Sequence, residues 1–372
     1  MRIGMVGHAF MGAVHSQAWR TAPHFFDLPP LELTAICGRD EDRTRAAAEK
    51  FGFASYETDW RTLVARADID IIDICTPGES HAAIAIAALQ EGKHVLCEKP
   101  LANTVAEAVA MVAAAERASG FAMTAFNYRR VPALALARQL LESGRLGEIR
   151  QVRAQYLQDW LVDPDFPLTW RLNAEQAGSG ALGDLGAHII DLSQWLTGQH
   201  ITSVGALLHT FVNERPLPGS AKRGPVTVDD AALFTARFDG GAIGSFEATR
   251  FATGRKNAMR IEVNGSTGSL AFDFETMNEL SYYDGQEAEP GFRRILATDP
   301  THPYVEAWWP PGHGLGYEHT FTHQVRDFVT AIVAGEQPRP SFADGLQVQR
   351  VLAAVHSSGQ AAGTHIPVPG SN

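Results

Sequence analysis

Three groups of residues have the types and spacing to do chemistry. The first is Gly7-His8-Ala9-Phe10-Met11-Gly12. It reads G-x-A-x-x-G, one step from the dinucleotide fingerprint, whose first glycine makes a tight turn, whose second lets a pyrophosphate approach the backbone and whose third lets the helix pack on the strand. Ala9 adds one methyl where the phosphates pass. The second group is Glu98-Lys99-Pro100. A Lys-Pro step ending a parallel strand lies on the edge where open α/β sheets bind ligands, and Pro100 holds Lys99 extended, so the ammonium is expected in the cleft. The third is Asp184 with His188, four apart and therefore on one face of a helix, where the carboxylate either fixes the imidazole tautomer or hydrogen-bonds the same substrate. Alone, a strand-end lysine is usually a solvated surface residue and an Asp/His pair a cap. Their context gives them weight.

The end of the second strand decides how an adenosine ribose is held, because NAD sites usually place an Asp or Glu there to accept from the 2′-hydroxyl. Here it reads Cys37-Gly38-Arg39-Asp40. Gly38 and Arg39, with Arg43 a turn later, remove the anion and offer cations for a 2′-phosphate. If Asp40 caps the following helix, the site favours NADP(H); if Asp40 is free to bind the ribose, NAD(H) remains open. The reading favours NADP(H).

These groups need elements to hold them. Short β-rich runs at Arg2 to Val6, Leu31 to Cys37, Ile69 to Cys75, His94 to Cys97 and Phe121 to Phe126 alternate with helical stretches, which predicts a parallel sheet with crossover helices over residues 1–126. After Phe126 come glycine-punctuated strands such as Ala231 to Phe238, Ala242 to Thr249 and Met259 to Asn264, with helices near Val131 to Ser143 and Gly180 to Thr197. They predict an α+β domain over 127–372 built on a large, mostly antiparallel open sheet, its C-terminal helix packing back toward the first domain. The Pro23 to Pro30 and Pro216 to Pro225 stretches are expected as surface loops.

Composition bounds the rest. The chain has 372 residues, 45% hydrophobic and 20% charged, enough for two packed domains. Acidic residues outnumber basic ones 42 to 31, for a net charge of −11, which argues against nucleic-acid or anionic-membrane partners. Cys37, Cys75 and Cys97 form no CxxC pair, and no apolar run reaches membrane-spanning length, so a cytoplasmic protein is expected. Asp184/His188 and His319/His323 have the i,i+4 spacing of metal ligands, but no third and fourth ligand accompany them and neither pair is H-E-x-x-H. No metal is expected.

The fingerprint, Thr76-Pro77 and His81 after the third predicted strand, Glu98-Lys99-Pro100, and Gly180-Ala181-Leu182-Gly183-Asp184-Leu185-Gly186-Ala187-His188 together resemble the Gfo/Idh/MocA oxidoreductases. The Phe342-Ala343-Asp344-Gly345 helix start is similar to the family's ending, so the resemblance spans nearly the whole chain. It implies an NAD(P)-dependent enzyme acting on a secondary alcohol of a sugar, anhydrosugar, glycoside or cyclitol. Lys99, Asp184 and His188 would be catalytic, with the formal base left open between Lys99 and His188. Gly7, Ala9, Phe10, Met11, Gly12, Gly38, Arg39, Thr76, Pro77, His81, Glu98, Lys99 and Asn127 would meet the cofactor. Tyr128, Trp160, Trp170, Arg171 and His319, with Asp184 and His188, would meet the substrate; flat aromatic walls suit the C–H faces of a sugar ring. The open sheet implies a homodimer or homotetramer. Two other readings stay open: a glycoside hydrolase that oxidises its sugar transiently, and a cofactor-sensing protein without catalysis.

Overall fold

The computed structural model describes residues 1–370. Contacts divide the chain into two compact units: Met1–Arg130 together with Gly316–Leu346, and Val131–Leu315 together with the chain from Gln347 onward. The segment Gly316–Leu346, expected in the second domain, therefore belongs with the first.

In the first unit the chain runs β1 (Arg2–Val6), α1 (Phe10–Phe25), β2 (Glu32–Cys37), α2 (Glu41–Phe51), β3 (Ser55–Glu57), α3 (Trp60–Ala65), β4 (Ile71–Ile74), α4 (His81–Gln90), β5 (His94–Cys97), α5 (Val105–Arg117) and β6 (Ala122–Thr124). The six strands are parallel in the order β3-β2-β1-β4-β5-β6. That is the doubly wound order, with its switch point between β1 and β4, where ligands seat outside the strands' carboxyl ends. Strand β4 is buried throughout, as its apolar run demands, yet it carries Asp73 at 0% exposure. Helix α5 starts on a reciprocal Thr104/Glu107 capping box. Two expectations need correction. Pro23 lies inside α1, two residues before its end, so its ring nitrogen leaves the last turn one hydrogen bond short and the helix stops at Phe25. The three-residue β3 was not anticipated, being too short to show a period.

The second unit contains α6 (Pro132–Glu142), β7 (Ile149–Leu157), α7 (Ala174–Ala177), a widened π-type turn at Leu182–Gly186 running into α8 (Ala187–Thr197), and β8 (Ile201–His209). There follow β9 (Glu214–Pro216), β10 (Arg223–Pro225), β11 (Ala231–Phe238), β12 (Ile243–Thr249), β13 (Ala258–Gly265), β14 (Gly268–Asp273), β15 (Glu279–Asp284) and β16 (Arg293–Leu296). Helix α9 (Tyr317–Ala334) then returns to the first unit, α10 (Phe342–Gln360) begins there and ends in the second, and β17 (Ile366–Pro367) closes the sheet. Nine strands form that sheet in the order β16-β15-β14-β13-β7-β12-β11-β8-β17, with β7 and β12 parallel and every other pair antiparallel.

Period-two burial sorts its faces. In β11, Ala232, Phe234, Ala236 and Phe238 are buried, while Leu233, Thr235 and Arg237 are exposed on the other side. Phe234 and Phe246 stack directly across β11 and β12, 4.5 Å between centroids. The Pro216–Pro225 stretch is no plain loop: β9 and β10 pair as a separate hairpin. Among the described residues no helix is long and apolar enough to cross a membrane.

Candidate dinucleotide cradle and active-site residues

At the end of β1 the chain turns on Gly7, whose φ of +102° suits glycine and whose N–H donates to Cys37 O at 2.9 Å. A Cβ at Gly7 would stand 2.7 Å from Cys75 O, and one at Gly12 2.2 Å from Gly7 O, so both fingerprint glycines are required by close backbone approach. Ala9 precedes α1 without any side-chain cap. The first-turn N–H groups of α1 are thus left to an external acceptor, the arrangement that seats a phosphate. Phe10, 62% exposed, stacks on Tyr317, and Met11 is half-buried behind it. These residues fit a bound dinucleotide.

At the ribose end, Asp40 does cap α2: its Oδ1 accepts the Arg43 N–H at 2.9 Å. Arg39 and Arg43 are exposed. Gly38 faces His8 and Thr44, and a Cβ there would lie 2.3 Å from His8 Nε2. His8 and Thr44 approach each other at 3.3 Å, so an imidazole from the fingerprint turn occupies the space beside the strand end. His8 stands at a variable position of the fingerprint, so the motif itself does not mark it.

Behind β4 and β5 the residues interlock. His81 is buried, with Nε2 2.8 Å from Thr76 O and Nδ1 3.1 Å from Pro100 O, tying the Thr76-Pro77 turn to the Lys99-Pro100 step. Burial pushes its pKa down, against the pull of those carbonyls. Glu98 is buried too; its Oε2 accepts the Lys99 N–H at 3.1 Å and its Oε1 lies 3.0 Å from His15 Nε2. Lys99 is half-buried. Asn127 donates from Nδ2 to Thr320 Oγ1 at 2.8 Å, and Tyr128 beside it is buried.

His319, in the first turn of α9, accepts the Gly316 N–H on Nδ1 at 3.0 Å, and burial lowers its pKa. It thus belongs to the first unit. His323, one turn on, is buried with Nδ1 2.9 Å from Arg130 O, and burial pulls its pKa down to about 3.

In the second unit, Asp184 sits in the π-type turn and His188 in the first turn of α8. The expected α-helix from Gly180 thus opens wider than predicted, a form that recurs at functional sites. The turn is anchored by Asp229, whose carboxylate accepts the Gly180 N–H at 2.8 Å and the Leu182 N–H at 2.7 Å. His188 is 7% exposed, its ring 5.8 Å from that of Tyr156. Arg250, buried, places Nη1 3.9 Å from Asp184 Oδ2, donates Nη2 to Asp229 O at 3.1 Å and lies 5.5 Å from the Trp160 ring. Trp160 donates Nε1–H to Gln158 Oε1, and the Arg171 guanidinium lies over Trp170 at 4.5 Å. A broad depression on the open sheet face, lined by Arg153, Gln155, Leu233, Glu247 and Glu262, contains none of the candidate catalytic residues.

Residues 1–126 match the model of the oxidoreductase family with an NAD-binding Rossmann fold, and residues 134–271 match the GFO/IDH/MocA C-terminal domain. The chain is 42% identical to levoglucosan dehydrogenase of Pseudarthrobacter phenanthrenivorans, over 96% of each chain. A solved levoglucosan dehydrogenase, in complex with NADH and levoglucosan, superposes with a TM-score of 0.96 at 43% identity over 99% of both chains. An oxidoreductase domain protein from Kribbella flavida gives the same TM-score at 65% identity, covering 99% of this chain and 98% of its own. A nucleotide cradle at the switch point of a doubly wound sheet, followed by an open nine-stranded sheet, defines a two-domain oxidoreductase. This chain belongs to the GFO/IDH/MocA oxidoreductase family.

Proposed function

We propose that this chain is an NAD(P)-dependent dehydrogenase that oxidises a secondary alcohol of an anhydrosugar, with levoglucosan the first substrate to test. The observation that carries the reading is the 42% identity to levoglucosan dehydrogenase across 96% of both chains. The bound nicotinamide supplies the hydride acceptor. His188 takes the hydroxyl proton, Asp184 orients the imidazole, and Lys99 hydrogen-bonds the reacting oxygen and stabilises its developing charge. Trp160, Trp170, Arg171, Tyr128 and His319 contribute walls and polar contacts for the ring.

The α1 turn seats the pyrophosphate, and Thr76, Pro77 and Asn127 flank the nicotinamide half. NADP(H) is favoured by Gly38-Arg39 and by the engagement of Asp40 as a cap. NAD(H) is the second reading, favoured by the NADH in the levoglucosan dehydrogenase complexes. The exposed sheet face, with Leu207, Leu233 and Ile243 outward, pairs two copies, and light scattering of the purified protein should report at least a dimer. The three buried thiols suit the reducing cytoplasm.

The deciding experiment mixes purified protein with levoglucosan, a sugar and cyclitol panel and each oxidised cofactor, reading absorbance at the reduced nicotinamide band. Turnover on levoglucosan is expected. Turnover confined to a cyclitol would overturn the anhydrosugar assignment, glycoside cleavage without net cofactor reduction would make the chain a hydrolase, and cofactor binding without turnover would make it a sensor.

A further inference from the structure

A buried ionic chain runs through the first unit beneath the fingerprint helix. His15, on α1 three residues past Gly12, is 1% exposed. Its Nδ1 lies 2.9 Å from Asp73 Oδ2 on β4, and its Nε2 lies 3.0 Å from Glu98 Oε1 at the end of β5. Asp73 is 0% and Glu98 4% exposed. Trp19, one turn further along α1, donates Nε1–H to Asp73 Oδ2 at 2.7 Å, and Cys75 Sγ stands 3.6 Å from Asp73 Oδ1. From α9 the Phe321 ring faces the imidazole, at 5.4 Å.

A carboxylate oxygen within 3.0 Å of each ring nitrogen favours the doubly protonated imidazole, in which both nitrogens donate. Although burial opposes that charge, Asp73 overcomes it and raises the His15 pKa well above the ordinary histidine value. Desolvating one cation and two carboxylates returns little net stability compared with apolar residues of the same volume. What the chain returns is geometry. It fixes Glu98, and the free oxygen of Glu98 takes the backbone N–H of Lys99 at 3.1 Å.

We propose that His15 and Glu98 are positioning residues for Lys99: the relay Trp19–Asp73–His15–Glu98 locks the strand end carrying the lysine to the same helix whose first turn seats the cofactor phosphates. Lys99 and the cofactor are thereby referenced to one rigid element. The inference rests on the reading of Lys99 as a catalytic residue given above.

The test compares Glu98→Gln, His15→Gln, Trp19→Phe and Lys99→Ala. Glu98→Gln keeps the shape but leaves one acceptor oxygen for two donors, so one link of the relay must break. For Glu98→Gln and His15→Gln, kcat on levoglucosan, or on the panel substrate, should fall at least 10-fold, with the KM for sugar within 3-fold. Trp19→Phe, at the far end, should cost 2- to 5-fold in kcat. A second readout needs no substrate. The chain has five lysines, so labelling with ¹⁵N-lysine gives a sparse amide spectrum in which Lys99 exchange should accelerate at least 10-fold in Glu98→Gln and His15→Gln.

Wild-type kcat in folded Glu98→Gln alongside an inactive Lys99→Ala would overturn the relay, as would a loss falling on KM or cofactor affinity alone. Full activity in Lys99→Ala would instead remove Lys99 from the chemistry, and the amide exchange would then decide the relay by itself. Should His15→Gln not fold, the shape-preserving Glu98→Gln and Trp19→Phe pair decides by the same criteria.

Discussion

Arg250 and Asp184 face each other at 3.9 Å, with the guanidinium at 1% side-chain exposure and the carboxylate at 30%. One partner is desolvated and the other keeps water, so the pair holds Asp184 in place from the protein side. Replacing Arg250 by Met should cost about 2 kcal/mol in urea unfolding, less than the roughly 3–5 kcal/mol of breaking a fully buried pair. A cost below about 0.5 kcal/mol would show that the pair contributes nothing. Asp229→Ala should cost at least as much, because it strips the buried N–H groups of Gly180 and Leu182 of their acceptor.

Removing the chemistry should look different from removing its support. In Lys99→Ala or His188→Ala, turnover should fall by about 10² to 10⁴ with cofactor affinity nearly unchanged. Asp184→Asn should lose less than His188→Ala at high pH if it only orients the ring. Turnover within a few-fold of wild type for all three would dismantle the proposed site.

Cofactor choice turns on Arg39. NADP(H) should bind more tightly than NAD(H), and Arg39→Ala should weaken NADP(H) alone, by about 1.5–3 kcal/mol for one lost charge-assisted hydrogen bond. Fluorescence titration with both reduced cofactors measures this. Tighter NAD(H) binding in the wild type would assign the ribose to a different partner.

His323 makes stability depend on acid. Its folded pKa of about 3 lies below the ordinary histidine value, so between about pH 6.5 and 3 the unfolded chain binds a proton that the folded chain refuses. Stability should therefore fall with pH across that window, with up to about 1.4 kcal/mol per unit coming from this one group. His323→Asn keeps a donor for Arg130 O and removes the titration, so its melting temperature should fall less between pH 6.5 and 5 than that of the wild type. Parallel curves would place the acid sensitivity elsewhere.

The sequence made some of these residues legible and hid others for physical reasons. The parallel sheet was readable because its strands are apolar runs such as Ile71 to Ile74. Strand β15 and strand β16 were not foreseen, since Glu279–Asp284 and Arg293–Leu296 lie at the sheet's outer end with few buried positions to set a period. Gly7, Lys99, Asp184 and His188 were singled out because motifs mark them. Their supports were not: His15 and Asp73 are 58 residues apart and meet only through the fold. One signal was available. Asp73 interrupts an otherwise apolar central strand, and a carboxylate cannot be buried there without donors supplied from elsewhere.

The return of α9 to the first unit also governs how the chain can be made. Phe321, Val325, Phe328 and Val329 belong to the same apolar cluster as Ile3, Met5 and Trp19, so the nucleotide-binding half is not a contiguous stretch of chain. During synthesis its opening strands must wait, with that side of their sheet uncovered, until all of Val131–Leu315 has left the ribosome. A fragment ending at Arg130 would lack that cover permanently and should be recovered as aggregate. A permuted chain that begins at Gly316 and runs through a linker into Met1 would bring the missing helix to the ribosome's exit first.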